Sequence, residues 1–408
     1  MKFDDFIKVS LEIWSNYFND LNENFRRQIK KGKILFPNIA LFSETREHYI
    51  IEFFGADESF NGLNEKRHKK ISSVGKYLYQ FNLDNCLINP GSHNGFRLSD
   101  GGTLIGGFLS RELKSDFIEK RIPFQGQWHL GPTIICPEEQ NSCVVQFGEC
   151  SQICFLGNSL IGNVYGSIQR FKYVLGMQVV KKSIKDKHYS RYLKNRLNRS
   201  MIETLESSKF GLLGVVFCKN PLDQRYCISA QFLNIFLFPE LRETTIGEFL
   251  RINPLFLKTA FSCKSFIYEP EFEWIEGNLN SIDRSINPDL MIESDDRYFH
   301  ICDLKTAMLD QENITTGGHS RRRFISKVQD GIAQLGNYRE YFEYEANKQL
   351  ALSKYGIRIS DPNLILVVGS YENASPEEIR EASRMATNKL LIIDYDTLNT
   401  MFLRNSAA

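Results

Sequence analysis

Asp289, Asp303 and Lys305 are the residues whose types and spacing could do chemistry. Asp289 follows Pro288, and a proline can open a strand but cannot sit in its middle. Leu290, Met291 and Ile292 continue as an apolar run, Ser294-Asp295-Asp296 forms a turn cluster, and Tyr298 to Leu304 is rich in β-formers. Side chains two apart on a strand share a face. Asp303 and Lys305 therefore point the same way, toward whatever Asp289 reaches from the neighbouring strand. Crowded carboxylates are costly unless something compensates them. A divalent cation of the Mg²⁺ type does so, because it takes hard oxygen ligands and leaves room for water and phosphate. Such an ion polarises a phosphoryl oxygen and lowers the pKa of a bound water. Lys305 would orient that water or stabilise charge developing on the phosphate. The plain alternative is a polar hairpin with a surface ion pair.

Two helices would have to position these groups. A helical pattern runs from about Arg321 to Ala346, with Val328, Ile332, Leu335 and Phe342 as its apolar stripe. Lys327, Gln334, Tyr338 and Tyr341 are expected on a different face, where Gln334 would orient the lysine or the attacking water. Upstream, Ile246, Phe249 and Leu250 give a helix closed by Pro254, on which Glu243 or Glu248 is a candidate third metal ligand. The series Pro288-Asp289…Asp303-Leu304-Lys305 resembles the PD-(D/E)xK pattern of restriction-endonuclease-like nucleases. The spacing of Gln334 and Tyr338 is similar to that of RecB-type nucleases.

Over roughly residues 243–402 the chain resembles a more specific family, the Shedu antiphage defence nucleases. The resemblance rests on Glu243 with Phe249-Leu250 and Asn253-Pro254, then Pro288-Asp289 and Asp303-Leu304-Lys305. It continues through Ser326-Lys327-Val328, Ile332 to Leu335, Tyr338, Tyr355-Gly356, Leu364 to Gly369 and Tyr395 to Leu398. The family usually has Glu-Leu-Lys where this chain has Asp303-Leu304-Lys305, and often a glutamine where this chain has Gly247. The resemblance implies a Mg²⁺-dependent deoxyribonuclease, with Mn²⁺ as a substitute, acting on double-stranded phage or other foreign DNA. It also implies a homo-oligomer, a tetramer by analogy. Asp289 and Asp303, with Glu243, would hold the metal. Cleavage would leave a 5′-phosphate and a 3′-hydroxyl. A RecB-like exonuclease and a non-catalytic DNA-binding scaffold on a nuclease fold are the alternatives.

The 408 residues suffice for more than one domain, and the net charge of +1 puts any nucleic-acid surface in a local patch. One such patch lies between Lys181 and Arg199, with Lys181, Lys182, Lys185, Arg191 and Lys194 and interleaved Tyr189 and Tyr192. Another is Arg321-Arg322-Arg323 with Lys327, where a DNA backbone would approach the site. A shorter one is Lys66 to Lys70. Among the nine cysteines, Cys136, Cys143, Cys150 and Cys154 cluster without the spacing of a zinc knuckle. They read as reduced thiols of a cytoplasmic protein, and neither a signal peptide nor a membrane span is expected.

The expected fold class is α/β: a PD-(D/E)xK core over 238–408, preceded by a mixed, β-rich regulatory or DNA-sensing region over 1–237, subdivided near 160. In the first region the expectations are an amphipathic helix up to about residue 30, strands at His48–Phe54, Tyr77–Phe81 and Cys143–Phe147, and helical texture from Val164 to Ser208. Strand-like runs follow at Gly211–Phe217 and Tyr226–Phe238. Asp100 to Gly107 reads as tight turns, because it lacks the lysine-serine ending of a phosphate loop. In the second region, Asp310 to Ser320 reads as a polar loop and Asn363–Gly369 and Leu390–Ile393 as buried strands. Ser375 and Asp396 are the expected helix caps.

Overall fold

The protein is described by a computed structural model covering residues 1–30, 34–44, 48–67, 144–146, 153–165, 168–206, 212–218, 221–236, 241–277, 284–318, 321–371, 373–385 and 389–405. The strand expected at Tyr77–Phe81, the Asp100–Gly107 turns, His68 to Lys70, and Cys136, Cys143 and Cys150 lie outside these residues. The chain is mixed α/β and divides into two compact units, Met1–Ile235 and Phe236–Ala408.

In the first unit the expected amphipathic helix is α1 (Phe3–Asn24), followed by the short α2 (Arg26–Ile29). Strands β1 (Ile34–Leu35), β2 (Ile39–Glu44), β3 (His48–Phe54), β4 (Asn64–Arg67), β5 (Val144–Gln146), β6 (Ile153–Tyr165) and β7 (Ile168–Lys181) follow. All but β1 form one sheet, in the order β4-β2-β3-β7-β6-β5. Helix α1 lies on this sheet because its aromatic stripe matches the strands. Trp14 and Phe18 meet Phe53 edge-on, and Phe6 meets Phe42. Helix α3 (Asp186–Glu206), strand β8 (Val216–Phe217), which pairs with β1, and helix α4 (Pro221–Phe236) complete the unit.

Two expectations fail here. Val164 and Tyr165 end β6 and Ile168–Lys181 is β7, strand rather than helix, so Lys181 ends β7 and Lys182 sits in the turn after it. The residues Ile168, Phe171, Tyr173, Val174, Val179 and Val180 are those a pleated surface favours, and β6 and β7 pair as one long antiparallel ribbon. Conversely, Tyr226–Phe236 is helix rather than strand. Cys227, Ile228, Ala230, Phe232, Leu233, Ile235 and Phe236 are all buried. A helix buried all round loses the 3.6-residue signature and reads like a buried strand.

The second unit opens with α5 (Glu243–Ile252) and α6 (Pro254–Ala260). Pro254 closes α5 and occupies the first position of α6, where a missing N–H costs nothing. Strand β9 (Ser265–Tyr268), the small hairpin β10 (Phe272–Glu273) and β11 (Ser285–Ile286), β12 (Leu290–Glu293) and β13 (Phe299–Leu304) come next. A second hairpin, β14 (Thr315–Thr316) and β15 (Arg323–Phe324), leads into α7 (Ser326–Tyr341) and α8 (Glu345–Tyr355). Strand β16 (Leu364–Val367), α9 (Pro376–Ala382), β17 (Leu390–Ile393) and α10 (Tyr395–Arg404) end the chain.

The central sheet has the order β17-β16-β13-β12-β9. Strands β9, β12 and β13 are antiparallel neighbours, and β13, β16 and β17 run parallel. Met291, Phe299, Ile301, Leu364 and Leu366 form one core with Val328 and Leu335 of α7. Strand period sends Leu290, Cys302 and Leu304, all buried, to the opposite face. Helix α6 packs on α10 through stacked Phe256 and Phe402, 4.4 Å between centroids.

Four features differ from the sequence reading. The helix expected from Arg321 starts at Ser326, and Arg323 belongs to β15, because the segment first folds back as a hairpin. That hairpin puts Thr315–Thr316 of the expected polar loop into a strand. Tyr338 and Tyr341 are buried with the apolar stripe instead of standing on a separate face. Ser375 caps α9 as expected, its side chain accepting from Glu378 N–H. The last helix is capped by Asp394, which accepts from Thr397 N–H, while Asp396 accepts from Tyr371 N–H.

Candidate active site

Strand pairing by itself brings the two aspartates together. Leu290 pairs with Cys302, so Asp289, one residue before β12, stands opposite Asp303. Asp289 Oδ2 accepts from the backbone N–H of Leu304 at 2.7 Å. The two carboxyl groups are within hydrogen-bonding reach of each other. Lys305 follows β13 on the same face, with its Nζ 2.7 Å from Asp303 Oδ2. Asp303 is 1 % exposed, and its Oδ2 makes that ion pair but no well-directed hydrogen bond.

Burial is the main force on these groups. It raises Asp289 to about 7, with the charge of Asp303 adding to the shift and the Leu304 N–H and Lys305 opposing it. Burial raises Asp303 as well, against the pull of Lys305. For Lys305, burial acts downward, but Asp303, Glu243 and Asp289 outweigh it and hold the amine above its usual value. Two carboxyls raised mainly by burial, beside a single cationic amine, form a site where a further positive charge would be favourable.

Helix α7 supplies the third side of the pocket. Lys305 Nζ donates to Gln334 Oε1 at 3.0 Å. Gln334 Nε2 donates to the Tyr338 hydroxyl, which donates to the Asn287 carbonyl at 3.1 Å. Asn287 precedes Pro288-Asp289, so the chain of bonds returns to the strand that carries the first carboxylate. Gly331 makes the close approach of α7 possible: a Cβ there would sit 3.1 Å from Leu366 Cδ1 and 3.2 Å from Lys305 Cε. The sequence puts two glycines in this helical pattern, and a Cβ at the other, Gly336, would meet nothing within 4 Å, so the glycine alone did not mark the contact.

Of the two glutamates on α5, the structure brings Glu243 to the site. Its Oε1 accepts from Thr306 N–H at 3.3 Å, and its charge acts on Asp289, Asp303 and Lys305. Glu248 is held by Arg251 through two hydrogen bonds, of 2.9 and 2.5 Å, which keep its carboxyl below the usual range. At Gly247 a Cβ would lie 2.6 Å from the Tyr268 hydroxyl, so the tyrosine ring fills the space a larger residue would need.

The basic residues separate into free and engaged. Arg321 and Arg323 are exposed, and exposed Lys327 lies 3.8 Å from Asp310. Arg322 is spent on α9: it pairs with Glu378 at 2.5 Å and Glu381 at 2.8 Å, and Thr315 of the same hairpin also bonds Glu378. In the first unit, Lys185, just before α3, and Arg191 and Lys194 on it are exposed, whereas Lys182 pairs with Glu44 at 2.7 Å. Tyr189 is buried and bonded to Ser10 and Gln178, so it is not a surface for stacking bases.

The donor set fits a hard divalent ion. Two carboxylates face one pocket, and an oxygen shut off from water lacks a well-directed donor. Among the described residues no group of three His, Cys, Asp or Glu side chains forms a ready cage. Mg²⁺ keeps several of its waters and can be held by one or two carboxylates. The side chains of Cys218, Cys227, Cys263 and Cys302 are buried. Among the described residues, no helix is long and apolar enough to cross a membrane.

Residues 236–398 match the family model described as Shedu protein SduA, C-terminal. The resemblance read from the sequence over roughly 243–402 is therefore shown for this part of the chain. No curated protein matches the sequence.

Proposed function

We propose that this chain is a metal-dependent DNA endonuclease or nickase of antiphage defence, built on a PD-(D/E)xK core. The observation that carries the reading is the meeting of Asp289, Asp303, Lys305 and Gln334 in one pocket. The Shedu match over 236–398 supports it. The site lies where β13 and β16 end at their carboxyl termini, the end of parallel strands where α/β sheets bind ligands.

Asp289 and Asp303 would hold Mg²⁺, or Mn²⁺ in its place, and Glu243 stands beside them as the third acid. The bound ion would supply Lewis-acid polarisation of the phosphate and a more acidic water. Lys305, held by Asp303 and Gln334, would orient the attacking water or meet the negative charge growing on the phosphate. Gln334 is fixed by Tyr338, so the amine is held from behind by a rigid chain of bonds. In-line attack leaves a 5′-phosphate and a 3′-hydroxyl. Arg321, Arg323 and Lys327 provide phosphate contacts beside the site, and Arg322 holds their hairpin in place. Residues 1–237, with the basic stretch Lys181, Lys182, Lys185, Arg191 and Lys194, would act as the sensing region. The working form would be a homo-oligomer.

The test is cleavage of supercoiled plasmid and linear duplex with Mg²⁺ or EDTA, comparing the intact protein with Lys305→Ala. Nicking that needs both metal and Lys305 supports the reading. Equal activity in the variant overturns the site. Degradation of linear DNA with closed circles left intact would favour the RecB-like exonuclease. DNA binding with no cleavage of either substrate would favour a scaffold.

A further inference from the structure

Lys305 is the first residue beyond the last paired rung of the parallel ladder, Leu304 with Val367. Its N–H still donates to the Val367 carbonyl at 2.8 Å. Its carbonyl lies past the end of the strand and accepts instead from the hydroxyl of Tyr395. The next N–H of the same peptide group, on Thr306, donates to Glu243. One peptide plane is thus gripped at both ends, by a tyrosine from α10 and by an acid from α5. Lys305 leaves the backbone at this plane.

Tyr395 is itself firmly held. It is fully buried, its N–H donates to Gly369 O at 3.2 Å, and its ring stacks on Phe236 at 5.3 Å. Burial first, and then the charges of Glu243, Asp289 and Asp303, push its hydroxyl well above the ordinary tyrosine value.

We propose that Tyr395 is a positioning residue of this site, whose hydroxyl fixes the Lys305–Thr306 peptide and so aims both the Lys305 amine and the Glu243 carboxylate. Gln334 holds the lysine at its tip and Tyr395 holds it at its root. A side chain with several rotatable bonds keeps one geometry only if both ends are set. Without the hydroxyl, the peptide plane turns, and the amine and the acid leave the pocket geometry together. The inference rests on the nuclease reading above for its catalytic meaning, and on the hydrogen bonds for its structural one.

Tyr395→Phe removes the hydroxyl and keeps the stacked ring, so it isolates the contact. The intact variant is compared with wild type and with Asn347→Ala. Asn347 is a buried residue whose amide ties the Ile275–Glu276 turn to α7 and touches none of the site residues. The first readout is plasmid cleavage with Mg²⁺, and the second is the acylation rate of Lys305, followed by peptide mass spectrometry. For Tyr395→Phe the turnover number falls by up to roughly a hundredfold, since a misplacement of about 1 Å can cost that much. DNA affinity stays unchanged and Lys305 acylates several-fold faster. Asn347→Ala lowers the melting temperature and leaves both readouts at wild-type values. Wild-type turnover together with wild-type acylation in Tyr395→Phe overturns the inference. Absence of metal-dependent cleavage in the wild type would sink the nuclease reading instead, and the acylation rate still decides whether the hydroxyl holds the lysine.

Discussion

Asp289→Asn should make the metal-free protein more stable at neutral pH while removing its response to Mg²⁺. Burial and Asp303 raise the Asp289 carboxyl to about 7. The unfolded chain ionises near 3.9. A carboxyl whose folded pKa is raised binds its proton more tightly in the fold. Its stabilising contribution is complete below the unfolded value and is lost as pH climbs to the folded one. Between pH 5 and pH 8 the linkage amounts to at most about 3 kcal/mol. Coupling to the Asp303 carboxyl and access of some solvent reduce this to about 1–2 kcal/mol. Asparagine escapes the loss, and its amide oxygen can still accept from Leu304 N–H, the bond Asp289 makes at 2.7 Å.

The assay is backbone hydrogen exchange of residues 299–305 in the intact chain, corrected for intrinsic rates, in EDTA and in excess Mg²⁺. Exchange reads the opening free energy of this sheet without requiring that the two units unfold together. In EDTA, wild type should lose protection from pH 5 to 8 and Asp289→Asn should not. In Mg²⁺, wild type should regain protection above pH 7, as a ligand that binds only the fold stabilises it by mass action. The variant should show no gain. Parallel pH profiles for the two proteins would refute the reasoning, because they would mean that Asp289 ionises without strain in the folded chain.

Gly331→Ala gains about 1 kcal/mol of helix propensity, but its Cβ presses on Leu366 and the Lys305 stem at 3.1 and 3.2 Å. Thermal stability should move little while cleavage drops, and unaffected cleavage would show that Lys305 has slack. Tyr338→Phe strips Gln334 of its partner and frees the Asn287 carbonyl; turnover should fall less than in Gln334→Ala, as measured under single-turnover conditions. Replacing both Arg321 and Arg323 by Ala should lower the dependence of log K on log salt by about two phosphate contacts; an unaltered slope would remove them from the DNA surface. Arg322→Ala breaks the ion pairs to Glu378 and Glu381, so exchange across residues 315–318 should accelerate with no matching change across 364–367.

Parts of this protein were legible wherever the signal is local. Pro288 before an apolar run gave the start of β12, the two-residue period set Asp303 and Lys305 on one face, and Ser375-Pro376 with Glu377 and Glu378 marked the start of α9. Each depends on bond geometry within a few residues. Local signal failed where burial erases periodicity. Helix α4, buried from Cys227 to Phe236, looked like a strand, and β7 passed for a helix. Strand β9 went unread, being four half-buried residues that gain their partner only from β12.

The sequence by itself thus determined the chemical types of the site, two carboxylates, an amine and an amide, and the strand and helix that carry most of them. Only the tertiary structure decided which groups meet. It chose Glu243 over Glu248 because Arg251 engages the latter within the same helix. It withdrew Arg322 from the surface by pairing it with two acids far along the chain. It set the Tyr395 hydroxyl under Lys305 although the two are 90 residues apart. These choices rest on distances of a few ångströms between segments far apart in sequence, and only the packed sheet and its covering helices fix those distances.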